Sequence, residues 1–378
     1  MGAVRSYARY AEGAGSQGGE RLAALTRLRA LLIGWVLIYH LELALRGLAG
    51  VPVAEAIALK GYLGVDGFFL LSGFALFLGY RHRPPLGIAG WARFVRRRAE
   101  RIFPLHLVAL GLLVLLVGVA SLAGLHVNDP QRFGTWELLM QALLVNAWET
   151  TRLHAWNYPS WALSALWAGY LVFPLLLAAT LRCGRGGCWL LAAGCLCGLA
   201  WLGAGEDRAQ LNRSLELGLV RFGLEFVLGL ALARLSSARA LPAGAAALAA
   251  ALLLPFGLVV STDAVIVAGL AALVAWLGAE AAPAPAPRDL LWRLGEASFG
   301  VYLCWIFVEA ALVLALRATD PGMAGRLVLM GGGLAGSFAL GWLAWRFVEL
   351  PAARVLTTRP RALDTAPEPQ PPFSAPRR

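Results

Sequence analysis

Charged residues are scarce in this chain. They make up 15% of its 378 residues, whereas hydrophobic residues make up 59%, and the mean hydropathy is +0.67. A soluble domain of similar size usually carries about 25% charged residues. The shortage therefore excludes an ordinary soluble globular protein. Apolar runs of roughly 20 residues recur instead, which is the length that a helix needs to cross a bilayer, and they predict an all-α polytopic membrane protein.

Cysteine is also rare. The five cysteines are Cys183, Cys188, Cys195, Cys197 and Cys304, mostly confined to one loop and the helix after it. Cys195 and Cys197 are two residues apart and so face different sides of a helix. We therefore expect each cysteine to be a small buried apolar side chain, and we expect neither a disulfide nor a metal site.

The N-terminus has no apolar core of its own. The first 20 residues are polar and glycine-rich, so no signal peptide is expected. Composition predicts that residues 1–24 and the Pro-rich residues 356–378 are disordered and cytoplasmic. Residues 25–355 then form a single transmembrane domain, and we expect no appended soluble domain.

Ten apolar segments are long enough for membrane-spanning helices. One further segment, "TWELLMQALLVNAW" at 135–148, is short for a span and carries Glu137, Gln141 and Asn146. We predict that it forms an interfacial or re-entrant helix, and an eleventh span is the alternative. The ten predicted spans are 30–48, 61–80, 102–125, 160–181, 187–204, 217–235, 241–260, 262–280, 296–316 and 325–347.

The distribution of arginine favours ten spans over eleven. Lys60 is the only lysine, and the net charge is +11. With ten spans and both termini in the cytoplasm, most arginines fall in cytoplasmic loops, as the positive-inside rule requires. A span at 135–148 would reverse every later loop and destroy this asymmetry. The positive charge therefore indicates membrane topology rather than nucleic-acid binding.

The first span carries an ionisable residue near its middle. In "RLRALLIGWVLIYHLEL", Arg29 and His40 are eleven residues apart, which places them on one helix face and roughly 16 Å apart along the axis. An ionisable group inside a span costs about 2.5–3.5 kcal/mol, so it is a functional candidate. An imidazole can accept or give a proton near neutral pH. The alternative is a packing histidine that is hydrogen-bonded to a neighbouring helix.

The second span, "GYLGVDGFFLLSGFALFLGY", adds two candidates. Asp66 lies about two turns from its outer end, and Ser72 lies further in. If the first two spans pack side by side, Asp66 and Ser72 bracket the depth of His40, and the carboxylate can orient the imidazole. Alternatively, Ser72 and Gly73 are small residues that only allow two helices to approach closely.

A dense basic segment precedes the third span. In "ARFVRRRAERIFPLH", Arg98 and Arg101 share one side of a helical turn, and Arg97 adjoins them. Such a cluster can anchor the membrane topology or bind anionic lipid head groups. It can equally hold the phosphates of a cytosolic cofactor, because guanidinium groups match phosphate oxygens.

Together these segments resemble the acyltransferase 3 family of integral membrane O-acyltransferases. The spacing of Arg29 and His40 is similar to the family's first-helix signature, and the basic segment is similar to its Arg-x-x-Arg-Ile-x-Pro motif. The resemblance runs from about residue 25 to residue 355. The other segments that resemble family motifs are "GYLGVDGFFLLSGF", "PSWALSALWAGYLVFPLL", "LGEASFGVYLCW" and "RFVELPAAR".

The resemblance implies an enzyme of a bacterial inner membrane. Members of the family move an acyl group, often acetyl from cytoplasmic acetyl-CoA, to a hydroxyl of a cell-envelope glycan, a glycolipid or a small molecule. The implied partners are membrane lipid, acyl-CoA as co-substrate and the hydroxyl acceptor, without nucleic acid and without a metal. His40 would act as a general base or carry the acyl group.

The resemblance and the residues together give a set of candidate positions. Family positions correspond to Arg29, His40, Arg98 and Arg101, and we add Asp66 as a catalytic residue and Arg97 as a ligand of the donor phosphates. The candidate substrate or motif positions are Ser72, Trp161, Ser164, Tyr302 and Glu349.

Three positions depart from the family pattern. The family usually has Glu where this chain has Leu166, Ser at Ala162, and Trp-His at Cys304 and Trp305. The missing carboxylate at residue 166 bears on the chemistry of the acceptor. The Arg29 and His40 pair is intact.

Two other classes of function stay open at this point. One is a transporter or flippase of a glycan or lipid, although the two halves of the chain show no internal repeat. The other is a scaffold of an envelope-assembly complex. Aromatic residues around the loop 126–158 can stack on sugar rings or anchor the chain at the membrane interface, namely Trp136, Trp148, Trp156, Tyr158 and Trp161.

Overall fold

The computed structural model describes residues 19–124, 129–204, 210–214, 216–279, 289–319 and 321–358. All regular secondary structure in these ranges is helical, which confirms the prediction of an all-α protein. The predicted disorder of both termini falls mainly on residues 1–18 and 359–378, which lie outside the described ranges. Helix begins at Gly19 and ends at Thr358, so helical structure extends slightly beyond both predicted boundaries of the domain.

Each predicted span coincides with a helix. In chain order, the α-helices of the described ranges are α1 (Gly19–Leu45), α2 (Pro52–Leu59), α3 (Gly64–Tyr80), α4 (Gly87–Leu122), α5 (Thr135–Ala142), α6 (Ser160–Arg182), α7 (Arg185–Gly203), α8 (Gly218–Ser237), α9 (Ala243–Val259), α10 (Asp263–Ala279), α11 (Leu290–Glu296), α12 (Ser298–Thr319), α13 (Met323–Ala344) and α14 (Leu350–Thr358).

Seven helical stretches in the described ranges are long and apolar enough to cross a membrane, and they contain α1, α3, α4, α6, α7, α12 and α13. The protein is therefore a multi-pass membrane protein. The helices α9 and α10 are apolar but have 17 residues each, and α8 carries Arg221, Glu225 and Arg234. The count of ten spans depends on these three helices and stays a prediction.

The bundle has two ends that differ in chemistry. We call the end that carries Arg27, Arg29, Arg98 and Arg101 the arginine face, and the end that carries residues 129–159 the loop face. At the arginine face, Arg27 forms an ion pair of 2.6 Å with Asp289, which lies just before α11. The first helix runs from the arginine face towards the loop face.

Small residues set the spacing between helices. A methyl group added at Gly73 of α3 would overlap the carbonyl oxygen of Phe226 in α8, and one added at Gly229 of α8 would overlap the carbonyl oxygen of Leu70. Glycine at these positions therefore lets α3 and α8 pack in direct backbone contact. This is the close approach expected of Gly73, with α8 as the neighbouring helix.

The segment 129–159 folds against the loop face rather than crossing the bundle. Its helix α5 has eight residues, about 12 Å of length, which is too short for a bilayer core of about 30 Å. The buried side chain of Gln141 holds the segment together, because its amide donates to the carbonyl of Ala155 and accepts 3.1 Å from the backbone amide of Asn157. His106 of α4 donates 2.8 Å to the carbonyl of Gln141 and anchors the segment to the bundle.

The cysteines are distributed over the core and the surface. Cys188, Cys195 and Cys304 are buried, as predicted, and Cys183 is half-buried. The prediction of burial is wrong for Cys197, which is exposed because α7 packs on α8 and α10 with one side only.

Candidate active site

His40 lies on α1 among aromatic rings near the loop face. The indole of Trp305 stacks on its imidazole, with ring centroids 4.3 Å apart and an angle of 28° between the planes. Tyr39 and Tyr158 approach the imidazole in edge-on geometry, at centroid distances of 4.9 and 5.9 Å. These rings restrict rotation of the imidazole and hold it in one orientation.

The polar contacts of His40 run through Tyr158. The hydroxyl oxygen of Tyr158 lies 3.3 Å from His40 Nδ1 and 3.5 Å from Glu309 Oε2. Glu309 lies on α12, one turn after Trp305, so one helix supplies both the stacking ring and the carboxylate. No described residue forms a hydrogen bond with Nε2 of His40, so the polar contacts of the imidazole are confined to Nδ1.

The position of Tyr158 is fixed on both sides along the chain. The side-chain amide of Asn157 donates 3.0 Å to the carbonyl of Leu303. The hydroxyl of Tyr302 donates 2.7 Å to the carbonyl of Pro159. Both partners belong to α12, so the tyrosine is tied to the same helix that carries Glu309. Tyr302, a predicted motif position, thus lies against the chain next to Tyr158.

Ser164 connects α6 to the loop segment. Its buried hydroxyl donates 2.8 Å to the carbonyl of Leu144 and accepts 3.0 Å from the backbone amide of Ala147. The indole of Trp148 donates 3.1 Å to the backbone carbonyl of Ser164. This predicted motif residue therefore supports the segment that carries Tyr158 and does not contact His40.

Asp66 does not contact His40, contrary to expectation. Its carboxylate accepts a bidentate pair of hydrogen bonds from Arg221 of α8, with a distance of 2.9 Å from Nε to Oδ1. Both residues are buried. Glu225 lies 3.5 Å from the same guanidinium, and the ring of Trp161 lies 5.7 Å from it. Asp66 and Trp161 therefore belong to a buried ionic cluster of α3, α6 and α8.

The register of α1 against α3 explains this correction. A Cβ atom added at Gly64 would lie 2.6 Å from the carbonyl oxygen of Leu32, so Asp66 is level with Leu32. Leu32 precedes His40 by eight residues, about 12 Å along the helix axis. Ser72 lies still closer to the arginine face, and its hydroxyl donates 2.7 Å to a carbonyl of its own helix. The two residues therefore do not bracket His40.

Candidate residues for the donor meet at the arginine face. Burial raises the pKa of Glu296, and the positive charges of Arg29 and Arg101 act on it in the opposite direction. Arg29 and Arg101 thus lie within electrostatic range of one carboxyl group. A cleft beside Arg101 also contains the predicted motif residue Glu349, and its lining is completed by Glu100, Pro104, Ala352, Ala353 and Leu356.

Arg98 and Arg97 differ in their surroundings. The guanidinium of Arg98 donates 3.0 Å to the hydroxyl of Tyr80 and lies 5.3–5.7 Å from the rings of Tyr80, Phe94 and Tyr170. Contacts of this kind between a cation and aromatic faces are stabilising. Arg98 is therefore held among rings, whereas Arg97 is exposed at the same face.

Most loop aromatic residues are engaged in packing. Trp156 is buried, and its indole donates 2.9 Å to the carbonyl of Gly134. Trp136 is exposed. Of the loop rings that could meet a sugar, Tyr158 is the one in contact with His40.

Glu309 was missed by sequence analysis, although a signal was present. It is an ionisable residue within the ninth apolar segment, and the rule that selected His40 selects it as well. The position where the family pattern has a carboxylate, Leu166, packs as a half-buried apolar side chain against the core.

Comparisons with known proteins agree with the motif pattern. The family model described as "Acyltransferase domain" matches residues 22–346. The chain is 30% identical to Acyltransferase MdmB of Streptomyces mycarofaciens over 349 residues, which cover 83% of this chain and 86% of that protein. No solved structure matches the chain. This chain therefore belongs to the acyltransferase 3 family, and it is an enzyme that transfers acyl groups other than aminoacyl groups.

Proposed function

We propose that the protein is a membrane O-acyltransferase that moves an acetyl group from acetyl-CoA to a hydroxyl of a cell-envelope glycan, a glycolipid or a small molecule. The observation that carries the proposal is the environment of His40. An imidazole inside a transmembrane bundle is held by a stacked indole and a tyrosine hydroxyl, with no described partner on Nε2. Arg29, at the other end of the same helix face, lies in a basic region suited to an anionic donor.

The donor would approach from the arginine face. Its phosphates would meet Arg97 and Arg101, while Arg98, which is held among aromatic rings, would shape the site and contribute its charge. We infer that this face is cytoplasmic, that ten helices span a bacterial inner membrane, and that both termini are cytoplasmic. The excess of arginine at this face supports that orientation.

His40 would act on the acceptor. As a general base, its Nε2 takes the proton from the acceptor hydroxyl while the hydroxyl oxygen attacks the acyl carbonyl carbon. The carbon–sulfur bond then breaks, and the leaving thiolate of CoA takes up the proton. As an acyl carrier, Nε2 attacks the carbonyl carbon first, and the carbon–sulfur bond breaks with CoA leaving as the thiolate. In a second step the acceptor oxygen attacks the acyl-imidazole, the bond from Nε2 to the acyl carbon breaks, and the proton of the acceptor hydroxyl passes to the thiolate.

The two routes differ in one observable. Only the carrier route labels His40 when the protein is incubated with radiolabelled acetyl-CoA in the absence of an acceptor. Label on the protein that disappears in His40→Ala would establish the carrier route. Transfer to an acceptor without any such label in single-turnover experiments would establish the general base.

The proposal is tested with membranes that contain the wild type, His40→Ala or His82→Ala. His82 is an exposed histidine at the arginine face and serves as a matched control. Each sample receives labelled acetyl-CoA and an envelope glycan extract, and the label in the glycan fraction is counted. We expect transfer by the wild type and by His82→Ala and none by His40→Ala. Normal transfer by His40→Ala would remove His40 from the mechanism.

A further inference from the structure

The hydroxyl of Tyr158 bridges two groups that compete for its single proton. It lies 3.3 Å from His40 Nδ1 and 3.5 Å from Glu309 Oε2. A phenol can donate one hydrogen bond and accept others, whereas a carboxylate can only accept. If the tyrosine hydroxyl donates its proton to one neighbour, it can only accept a hydrogen bond, so the other neighbour must supply a proton of its own.

An ionised Glu309 permits one consistent arrangement. Tyr158 donates to the carboxylate, and Nδ1 of His40 carries a proton that it donates to the tyrosine oxygen. In the opposite arrangement, with Tyr158 donating to Nδ1, the tyrosine oxygen and the carboxylate would face each other as two acceptors without a proton between them. Because the neutral imidazole carries one proton, protonation of Nδ1 leaves Nε2 with its lone pair.

We propose that Glu309 and Tyr158 are positioning residues that hold His40 in the tautomer with the proton on Nδ1, so that Nε2 is the reactive nitrogen. The statement that Nε2 reacts with a substrate rests on the proposed function. The hydrogen bonds among Glu309, Tyr158 and His40 do not, because they are a property of the protein without substrate. Glu309 acts through Tyr158 and does not touch the reacting atoms.

Two features of the fold support a specific role for the hydrogen bonds among Glu309, Tyr158 and His40. Tyr158 is fixed from both sides by Asn157 and by the contact of Tyr302 with Pro159. Glu309 is a half-buried carboxylate in an apolar helix, a costly placement that suggests a specific use. Arg132 of the loop segment is the basic residue whose charge acts on both Glu309 and Tyr158.

The tautomer is measured directly by 15N NMR of the imidazole groups, on the full-length protein in lipid nanodiscs and without substrate. The chain has five histidines, and the His40 signals are assigned by their absence in His40→Ala. We expect the wild type to show His40 with the proton on Nδ1. In Glu309→Leu, the tyrosine proton turns to Nδ1, and we expect the proton of the imidazole to move to Nε2.

Glu309→Leu is suited to this test because it removes an ionisable group from a membrane helix and so favours insertion. Tyr158→Phe provides a second variant, in which Nδ1 loses its partner and the signal should become a mixture of both tautomers. Glu55→Gln is the control, since this carboxylate on α2 has no hydrogen bond within the described ranges, and it should leave the His40 spectrum unchanged.

Kinetics give a second readout. Loss of the reactive tautomer should lower kcat by about 10²-fold or more in Glu309→Leu and Tyr158→Phe, within the range for a general base. The KM for acetyl-CoA should stay within about twofold, because these residues lie far from the arginine face. An equal rise in KM with unchanged kcat would assign Glu309 to substrate binding and overturn the proposal.

The outcomes separate this inference from the proposed function. A wild-type His40 with its proton on Nε2, or a spectrum that does not change in Glu309→Leu, overturns the inference whatever the activity. The expected tautomer and its change in Glu309→Leu support the inference even if His40→Ala still transfers acetyl groups. In that case the proposed role of His40 fails and the hydrogen-bond chain stands.

Discussion

The indole of Trp305 stacks on the imidazole of His40 with ring centroids 4.3 Å apart. Both residues come from helices of the central bundle, and Trp305 is buried. The indole therefore packs against one face of the imidazole and keeps the imidazole oriented towards Tyr158. This relationship predicts that the size and shape of residue 305 affect the orientation of His40.

Substitutions of Trp305 test this role of shape. The indole nitrogen of Trp305 has no hydrogen-bond partner among the described residues, so Trp305→Phe loses ring area but no hydrogen bond. We expect Trp305→Phe to keep acyl transfer within about tenfold of the wild type. Trp305→Ala should cost about 3–5 kcal/mol of stability and abolish transfer, because a cavity opens beside His40. Thermal unfolding in detergent and the transfer assay check both variants, and full activity in Trp305→Ala would contradict the role of the stack.

The buried ionic cluster predicts an asymmetry between its members. In Asp66→Asn, Arg221 keeps Glu225 as a partner at 3.5 Å. In Arg221→Met, two carboxyl groups remain buried without their cation. We therefore expect Arg221→Met to be the more destabilising, by about 3–5 kcal/mol, as for other buried ion pairs that lose one partner. Unfolding temperatures in detergent measure the difference. Equal losses in both variants would show that Glu225 does not share the guanidinium.

The close contact of α3 with α8 predicts a sharp difference between two glycines of one helix. A methyl group at Gly73 would overlap Phe226, whereas a methyl group at Gly79 meets no atom within 4 Å. Gly73→Ala should destabilise the protein by about 1–3 kcal/mol, and Gly79→Ala should stabilise it by up to about 1 kcal/mol. Comparable unfolding temperatures for the two variants would contradict the packing.

The donor site that we propose at the arginine face predicts an effect on KM. Arg101→Gln should raise the KM for acetyl-CoA about tenfold, the loss expected for one charge-assisted hydrogen bond of about 1.5 kcal/mol. Its kcat should change little, because Arg101 lies far from His40. Arg317→Gln, near the end of α12 at the loop face, is the matched control and should leave the KM unchanged. An unchanged KM in Arg101→Gln would place the donor phosphates elsewhere.

The positions of the helices could be predicted because apolar runs report directly on membrane spans. The segment at 135–148 is short for a span in the sequence, and its helix α5 has eight residues. Arg29 and His40 were selected because an ionisable residue in an apolar run is costly. These signals are local in the chain, so no knowledge of packing is needed to read them.

The partners of these residues could not be predicted, because they depend on the depth at which helices pack. Asp66 was assigned to His40 on the assumption that spans one and two align at that level. The close approach at Gly64 sets a different register, and the partner of Asp66 is Arg221 on a distant part of the chain. Glu309 is the opposite case. It is an ionisable residue within an apolar run, so the sequence alone is sufficient to select it, yet it is not among the candidate positions.

The central claim is that His40 performs the acyl transfer. The most direct measurement is transfer of label from acetyl-CoA to an envelope glycan extract by membranes with equal amounts of wild type, His40→Ala and His82→Ala. We expect labelled glycan from the wild type and His82→Ala and background counts from His40→Ala. Labelled glycan from His40→Ala at the wild-type rate would contradict the central claim.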